Sequence, residues 1–187
     1  PVHPHHPELG QRHFKFGKSL WIERTDYEET PPKGFFRLFP GNKVRLKYGH
    51  VIECTGAIKD ANGQVTEVLA QLIPDTKSGT PGSDSVKVKG VITWVAQADA
   101  VTAEIRLYDR LFSEAHPDAG GKDFLTSLNP DSLKVITAFV EPALSHCQPD
   151  AKFQFERHGY FVADRSDHGH AKLVFNRCTG LKDTWSK

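Results

Sequence analysis

Phe153-Gln154-Phe155-Glu156-Arg157-His158-Gly159-Tyr160-Phe161 compresses a strand, a turn and a returning strand into one stretch. Phe153 and Phe155 alternate with Gln154 and Glu156 at the two-residue period of a half-buried strand. His158-Gly159 then supplies a glycine for the tight turn of a hairpin. One face looks inward. The other carries an amide and a carboxylate, with Arg157 beside them, and this trio can donate to and accept from the edge of an unstacked base. An ordinary amphipathic hairpin with a solvated polar face has the same pattern, so periodicity leaves both readings open.

Working outward, the same alternation recurs. Val44 and Leu46 share one side of Val44–Ile52, and Arg45 and Lys47 share the other, giving a basic strand face that suits either a phosphate backbone or plain solvation. Asn62-Gly63 is the strongest hairpin signal and predicts a type I′ turn between strands ending near Ile58 and starting at Val65. Pro74 to Ser85 reads as a polar loop. Val86–Val95, Val101–Leu111, Leu133–Val140 and Lys172–Asn176 read as further strands. Phe124–Leu128 reads as a helical turn ended by Asn129-Pro130, where the residue before proline avoids the helical region. About ten short strands, many turns and no long helix predict an all-β chain of antiparallel sheets folded into barrels or sandwiches, with two small antiparallel β-barrels and short helical turns more natural than one large barrel.

The chain has 187 residues, 38% hydrophobic and 25% charged, with a net charge of +1. That balance excludes a global basic field, so contact with nucleic acid requires a local patch. No run is long enough for a membrane helix and no signal-peptide layout opens the chain, so the expected location is cytoplasmic, without membrane. Cys54, Cys147 and Cys178 are too few and too far apart for a disulfide or zinc framework and read as reduced thiols. The histidines at 3, 5 and 6, and the pair His168 and His170 in a polar loop, read as solvated rather than metal-binding. The absence of methionine and the Pro-Val-His-Pro-His-His-Pro start suggest a piece of a longer protein. No phosphate loop, nucleophile elbow, zinc-protease helix or dinucleotide fingerprint is present, so the piece itself is expected to be non-catalytic, with no metal and no cofactor of its own. Asp109, between Arg106 and Arg110, reads as part of an ion-paired structural knot.

Five collinear blocks carry a resemblance: Lys87–Val95, Glu104–Phe112, Leu128–Leu133, Phe153–Phe161, and Val174–Arg177 with Leu181–Trp185. Together they resemble the C-terminal anticodon-binding region of the bacterial glutaminyl-tRNA synthetases. The resemblance implies a lead-in at 1–8, a proximal barrel at 9–95, a distal barrel at 96–170, and a final strand at 171–187 returning to the proximal barrel. It also implies that Gln154 and Glu156 read the middle anticodon base, that Arg157 and Arg37 read the third, and that Arg45 and Lys47 hold the first with its phosphate. Thr184 then lies close to that last pocket. ATP and Mg are implied for the parent ligase, in an N-terminal class I catalytic domain. Glutamine tRNA and that domain are the implied partners of a monomer.

Three departures from the family pattern stand out. Gly34 and Phe36 occupy positions where a glutamine and a lysine are expected, and Lys47 replaces an arginine, keeping charge but losing the planar fork used for bidentate contact. An upstream arginine that serves the middle base lies outside the sequence. Competing readings are a free-standing ribosomal RNA-binding barrel, a protein-interaction appendage, and a glutamyl-specific relative.

Overall fold

A computed structural model describes residues 2, 3 and 5–181. Its contacts divide the chain into two units, Lys15–Ala98 and a second formed by Pro1–Phe14 with Asp99–Lys187. Both are all-β apart from short 3-10 turns.

The first unit contains β1 (Leu20–Ile22), β2 (Lys43–Leu46), β3 (Val51–Lys59), β4 (Val65–Leu72), β5 (Gly90–Ile92) and β6 (Trp94–Ala96). Four form a sheet in the order β4-β3-β2-β5, and β1 pairs with β6. The expected strand Val44–Ile52 is a tight hairpin instead: Gly49 N–H donates to Leu46 O at 2.7 Å and Tyr48 takes φ 58°. Val86–Val95 likewise divides, switching at Thr93 from the larger sheet to the smaller. The Asn62-Gly63 hairpin forms, but only Gly63 has positive φ, so it is not a type I′ turn. The Asp60 carboxylate accepts from Asn62 N–H and Gln64 N–H, both at 2.9 Å, and organises a longer loop. Val44, Leu46, Ile52, Cys54 and Ile92 point inward against Tyr27 and Leu38.

The second unit contains β7 (Val101–Tyr108), β8 (Leu133–Val140), β9 (Lys152–Phe155), β10 (Gly159–Ala163) and β11 (Leu173–Thr179). They form one sheet in the order β8-β7-β11-β10-β9. Its core is Ala103, Ile105, Phe161, Ala163, Leu173 and Phe175; fully burying a ring such as Phe175 stabilises by about 3 kcal/mol.

One expectation is corrected. The sheets are mixed rather than purely antiparallel, because β2 runs parallel to β5 and β7 parallel to β11. No sheet closes on itself among the described residues. The strand at 173–179 sits between β7 and β10, where Phe175 fills the second core. Residues 182–187, including Thr184, lie outside the described residues. Among the described residues no helix is long and apolar enough to cross a membrane.

Candidate nucleic-acid interface

The β9–β10 hairpin is held by its aromatic inner face. Phe155 stacks on Phe161 with ring centres 4.5 Å apart, and Phe153 meets Phe175 edge-on at 5.7 Å. Those contacts leave Gln154, Glu156 and Arg157 exposed, as the alternation predicts. The turn lies earlier than expected. His158 N–H donates to Phe155 O at 3.0 Å, and of the two central residues only Arg157 has positive φ (70°), the pattern of a type II turn. Arg157 therefore stands at a left-handed apex.

Gly159 belongs to β10 rather than to the turn. It takes φ 133°, and a Cβ there would stand 2.2 Å from Thr179 O. Only glycine fits between the hairpin and the end of β11. Two neighbours complete the outer face: Lys152, exposed two residues before Gln154, and Tyr160, exposed and paired with Gln154 across the ladder. Lys152 was legible by extending the alternation one step back.

Arg45 lies on β2 and Lys47 in the turn just after it, and the two are differently employed. The Arg45 guanidinium donates to Thr76 O at 2.7 Å, to Ser78 Oγ at 3.4 Å, to Gly49 O at 3.5 Å and to Ser83 O. It clasps the 74–85 segment against the sheet. That segment is not the wholly solvated loop its composition suggests: Thr76 is fully buried, accepting from Val51 N–H at 2.9 Å and donating to Ile73 O at 2.6 Å. Lys47 is fixed through its backbone, donating to Ile92 O and accepting from Trp94 Nε1, both at 2.9 Å. Its ammonium lies 5.1 Å from the exposed Tyr48 ring. An open depression beside Arg45 is lined by Asp84, Val86, Lys87 and Val88.

Arg37 is anchored by the protein. Its Nε is 3.3 Å from the fully buried Asp26 carboxylate and its Nη1 donates to Thr25 O at 3.1 Å. Leu38 N–H in turn donates to Asp26 O at 2.9 Å, so this arginine ties the segment before β2 to the 24–26 turn. Its Nη2 lies outside those bonds.

The polar loop after β10 also departs from expectation. Asp164 accepts from Ser166 N–H and Asp167 N–H at 2.9 and 2.8 Å and folds the loop back. His168 is thereby buried, not solvated: its Nδ1 accepts from Val174 N–H at 3.1 Å and its Nε2 is 3.3 Å from Cys147 Sγ. His170 is exposed. All three cysteines are free thiols, and burial pushes those of Cys54 and Cys147 upward. The expected ionic knot exists around Arg106, which pairs with Glu104, Asp164 and Asp167 at 2.8, 3.3 and 2.6 Å. Asp109 instead accepts from Arg110 N–H at 2.7 Å. Hydrogen bonds, first from Asn176 and then from the Asp167 and Ser166 N–H groups, hold the Asp164 carboxyl down at about 2.

Thus Gln154, Glu156 and Arg157 come together on one exposed hairpin, whereas Arg45 lies on β2 and Lys47 in the turn that follows it. Arg37 is held by a separate buried acid. The hairpin offers exposed acceptors, donors and an aromatic; Arg45 and Lys47 offer positive charge.

Two family models, both described as tRNA synthetases class I (E and Q), anti-codon binding domain, match residues 1–73 and 91–164. Glutamine–tRNA ligase of Cupriavidus taiwanensis is 68% identical over the whole chain, that of Cupriavidus necator 67%, and that of Bordetella avium 58%. The chain spans 32% of the length of each of these relatives. With both units matched and this identity along its full length, the chain belongs to the anticodon-binding domains of the class I tRNA synthetases for Glu and Gln.

Proposed function

We propose that this chain reads the anticodon of glutamine tRNA for a glutamine–tRNA ligase. The parent enzyme joins glutamine to that tRNA with ATP and Mg, in a class I catalytic portion outside these residues, and works as a monomer in the cytoplasm. The two units correspond to the proximal and distal barrels of such a region. The observation that carries the reading is the exposed Gln154, Glu156 and Arg157 on a hairpin whose opposite face is locked by aromatic packing. Sequence-specific RNA recognition works on unstacked bases, whose edges need such preorganised donors and acceptors.

In this reading Gln154 and Glu156 address the middle base and Arg157 the third. Arg37 adds to the third through its remaining Nη2. Lys47 attracts the phosphate of the first base, while Arg45 shapes that pocket by holding the 74–85 segment. Thr184 contributes nearby.

The test uses the 187-residue chain and stem-loops carrying CUG or UUG, with changes at the middle base. Gln154→Ala and Arg157→Ala each lower cognate affinity about tenfold and flatten the base preference, since a good base contact contributes about 1 to 3 kcal/mol by analogy with DNA readout. Equal binding of every loop by the unmodified chain defeats the reading.

A further inference from the structure

The base and phosphate contacts proposed above do not include Phe36. An exposed phenylalanine alone is ordinary. Phe36, 50% exposed, is set apart by how it is mounted. A Cβ on Gly90 would stand 1.9 Å from the Phe36 carbonyl oxygen, so the Phe36 backbone lies directly on the start of β5 where only glycine admits it. The flanks are tied as well: Phe35 N–H donates to Pro32 O at 3.1 Å, and Arg37 is anchored on Asp26. The segment is therefore pinned on both sides of a ring that stays in solvent.

Lys89, immediately before Gly90, places its ammonium 5.3 Å from the centre of that ring. Lys87 is exposed two residues earlier, while Val86 and Val88 are half buried, so both lysines alternate outward along the segment leading into β5. A rigid aromatic with a cation on it and a second cation beside it matches what single-stranded RNA binds: stacking on the ring, with charge for the backbone.

The geometry points to Phe36 and Lys89 as a stacking platform for one unstacked base of the RNA loop, with Lys87 and Lys89 meeting the adjacent phosphates. The platform rests on the anticodon reading and extends it. Where the family pattern calls for a lysine, this chain places an aromatic at 36 and draws its cation from a neighbouring strand.

The test places 2-aminopurine, whose emission falls on stacking, at each loop position in turn of a CUG stem-loop and titrates it with the 187-residue chain. One position is quenched by the unmodified chain and by Phe36→Trp, and not by Phe36→Leu. Phe36→Leu weakens binding about tenfold. Lys89→Gln weakens it about threefold and makes the salt slope shallower by about one. Each variant keeps the melting curve of the unmodified chain, as expected for exposed positions. The platform is overturned if Phe36→Leu binds and quenches like the unmodified chain while Gln154→Ala still flattens middle-base preference. If the unmodified chain shows no middle-base preference yet quenching depends on Phe36, the platform stands and the anticodon reading falls.

Discussion

Arg45 on β2 and Arg157 in the β9–β10 turn are arginines of the two units, one in each, and their surroundings differ sharply. The Arg45 guanidinium is engaged by acceptors at Gly49, Thr76, Ser78 and Ser83 of its own unit. Arg157 is exposed at a turn apex in left-handed backbone, mounted on a strand pair whose inner face is a phenylalanine stack. The first arginine shapes a surface by holding a loop. The second is the surface. Strand period reports which way each side chain faces but not which acceptors a distant segment brings to it, and at Arg45 the 74–85 segment brings three of them.

The contrast breaks hardest at Gly159. Gly159→Ala forces a Cβ against Thr179 O in a backbone conformation that suits glycine, so about 3 kcal/mol or more of stability is lost. Thermal unfolding should drop by about 10 °C or more, with base preference lost alongside. A variant that melts like the original removes the argument that the hairpin is preorganised by that close approach.

Arg45→Ala comes next. Stranding loop carbonyls that a charged donor now satisfies costs about 2 kcal/mol. Binding should weaken for all loops alike, and the 74–85 segment should become protease-sensitive. Loss of preference for a single base would place Arg45 among the readers instead.

A smaller effect comes from Asp164, whose carboxyl sits at about 2 against an ordinary 3.8. Its folded value is depressed, so its stabilisation is complete above about pH 4 and disappears as the pH falls toward 2. Asn176→Ala removes the amide at 2.6 Å that is the largest cause of that depression. The variant should lose about 1 kcal/mol at neutral pH and show a shallower decline between pH 4 and 2, read from urea midpoints. An unchanged decline would assign the acid sensitivity elsewhere.

Lys47→Ala gives the least. Its backbone bonds persist, so stability changes by a few tenths of a kcal/mol, while the salt dependence of RNA binding loses about one unit of slope. Altered middle-base preference would contradict a purely phosphate role.

Much of this was legible in the residues. Phe153, Phe155 and Phe161 announce their inner face through simple alternation, and the exposed trio follows from it. What periodicity missed were events at single residues. Tyr48 in left-handed backbone turns one apparent strand into a hairpin, and Thr93 passes the chain from one sheet to another. The histidine at 168 looked solvated because its neighbours are polar; Asp164 folds those neighbours outward and the ring inward. Arg37 was legible as a cation but not as the partner of Asp26, since nothing in the short 24–26 turn announces a fully buried acid.

One feature of the second unit bears on how the protein is made. Strand β11 lies between β7 and β10, pairing Leu173 with Ala103 and Phe175 with Ile105. During synthesis β7 emerges from the ribosome long before its central neighbour exists, and its open edge has to wait for nearly the whole unit to follow. Such distant pairing makes for slow, late folding and a vulnerable nascent intermediate.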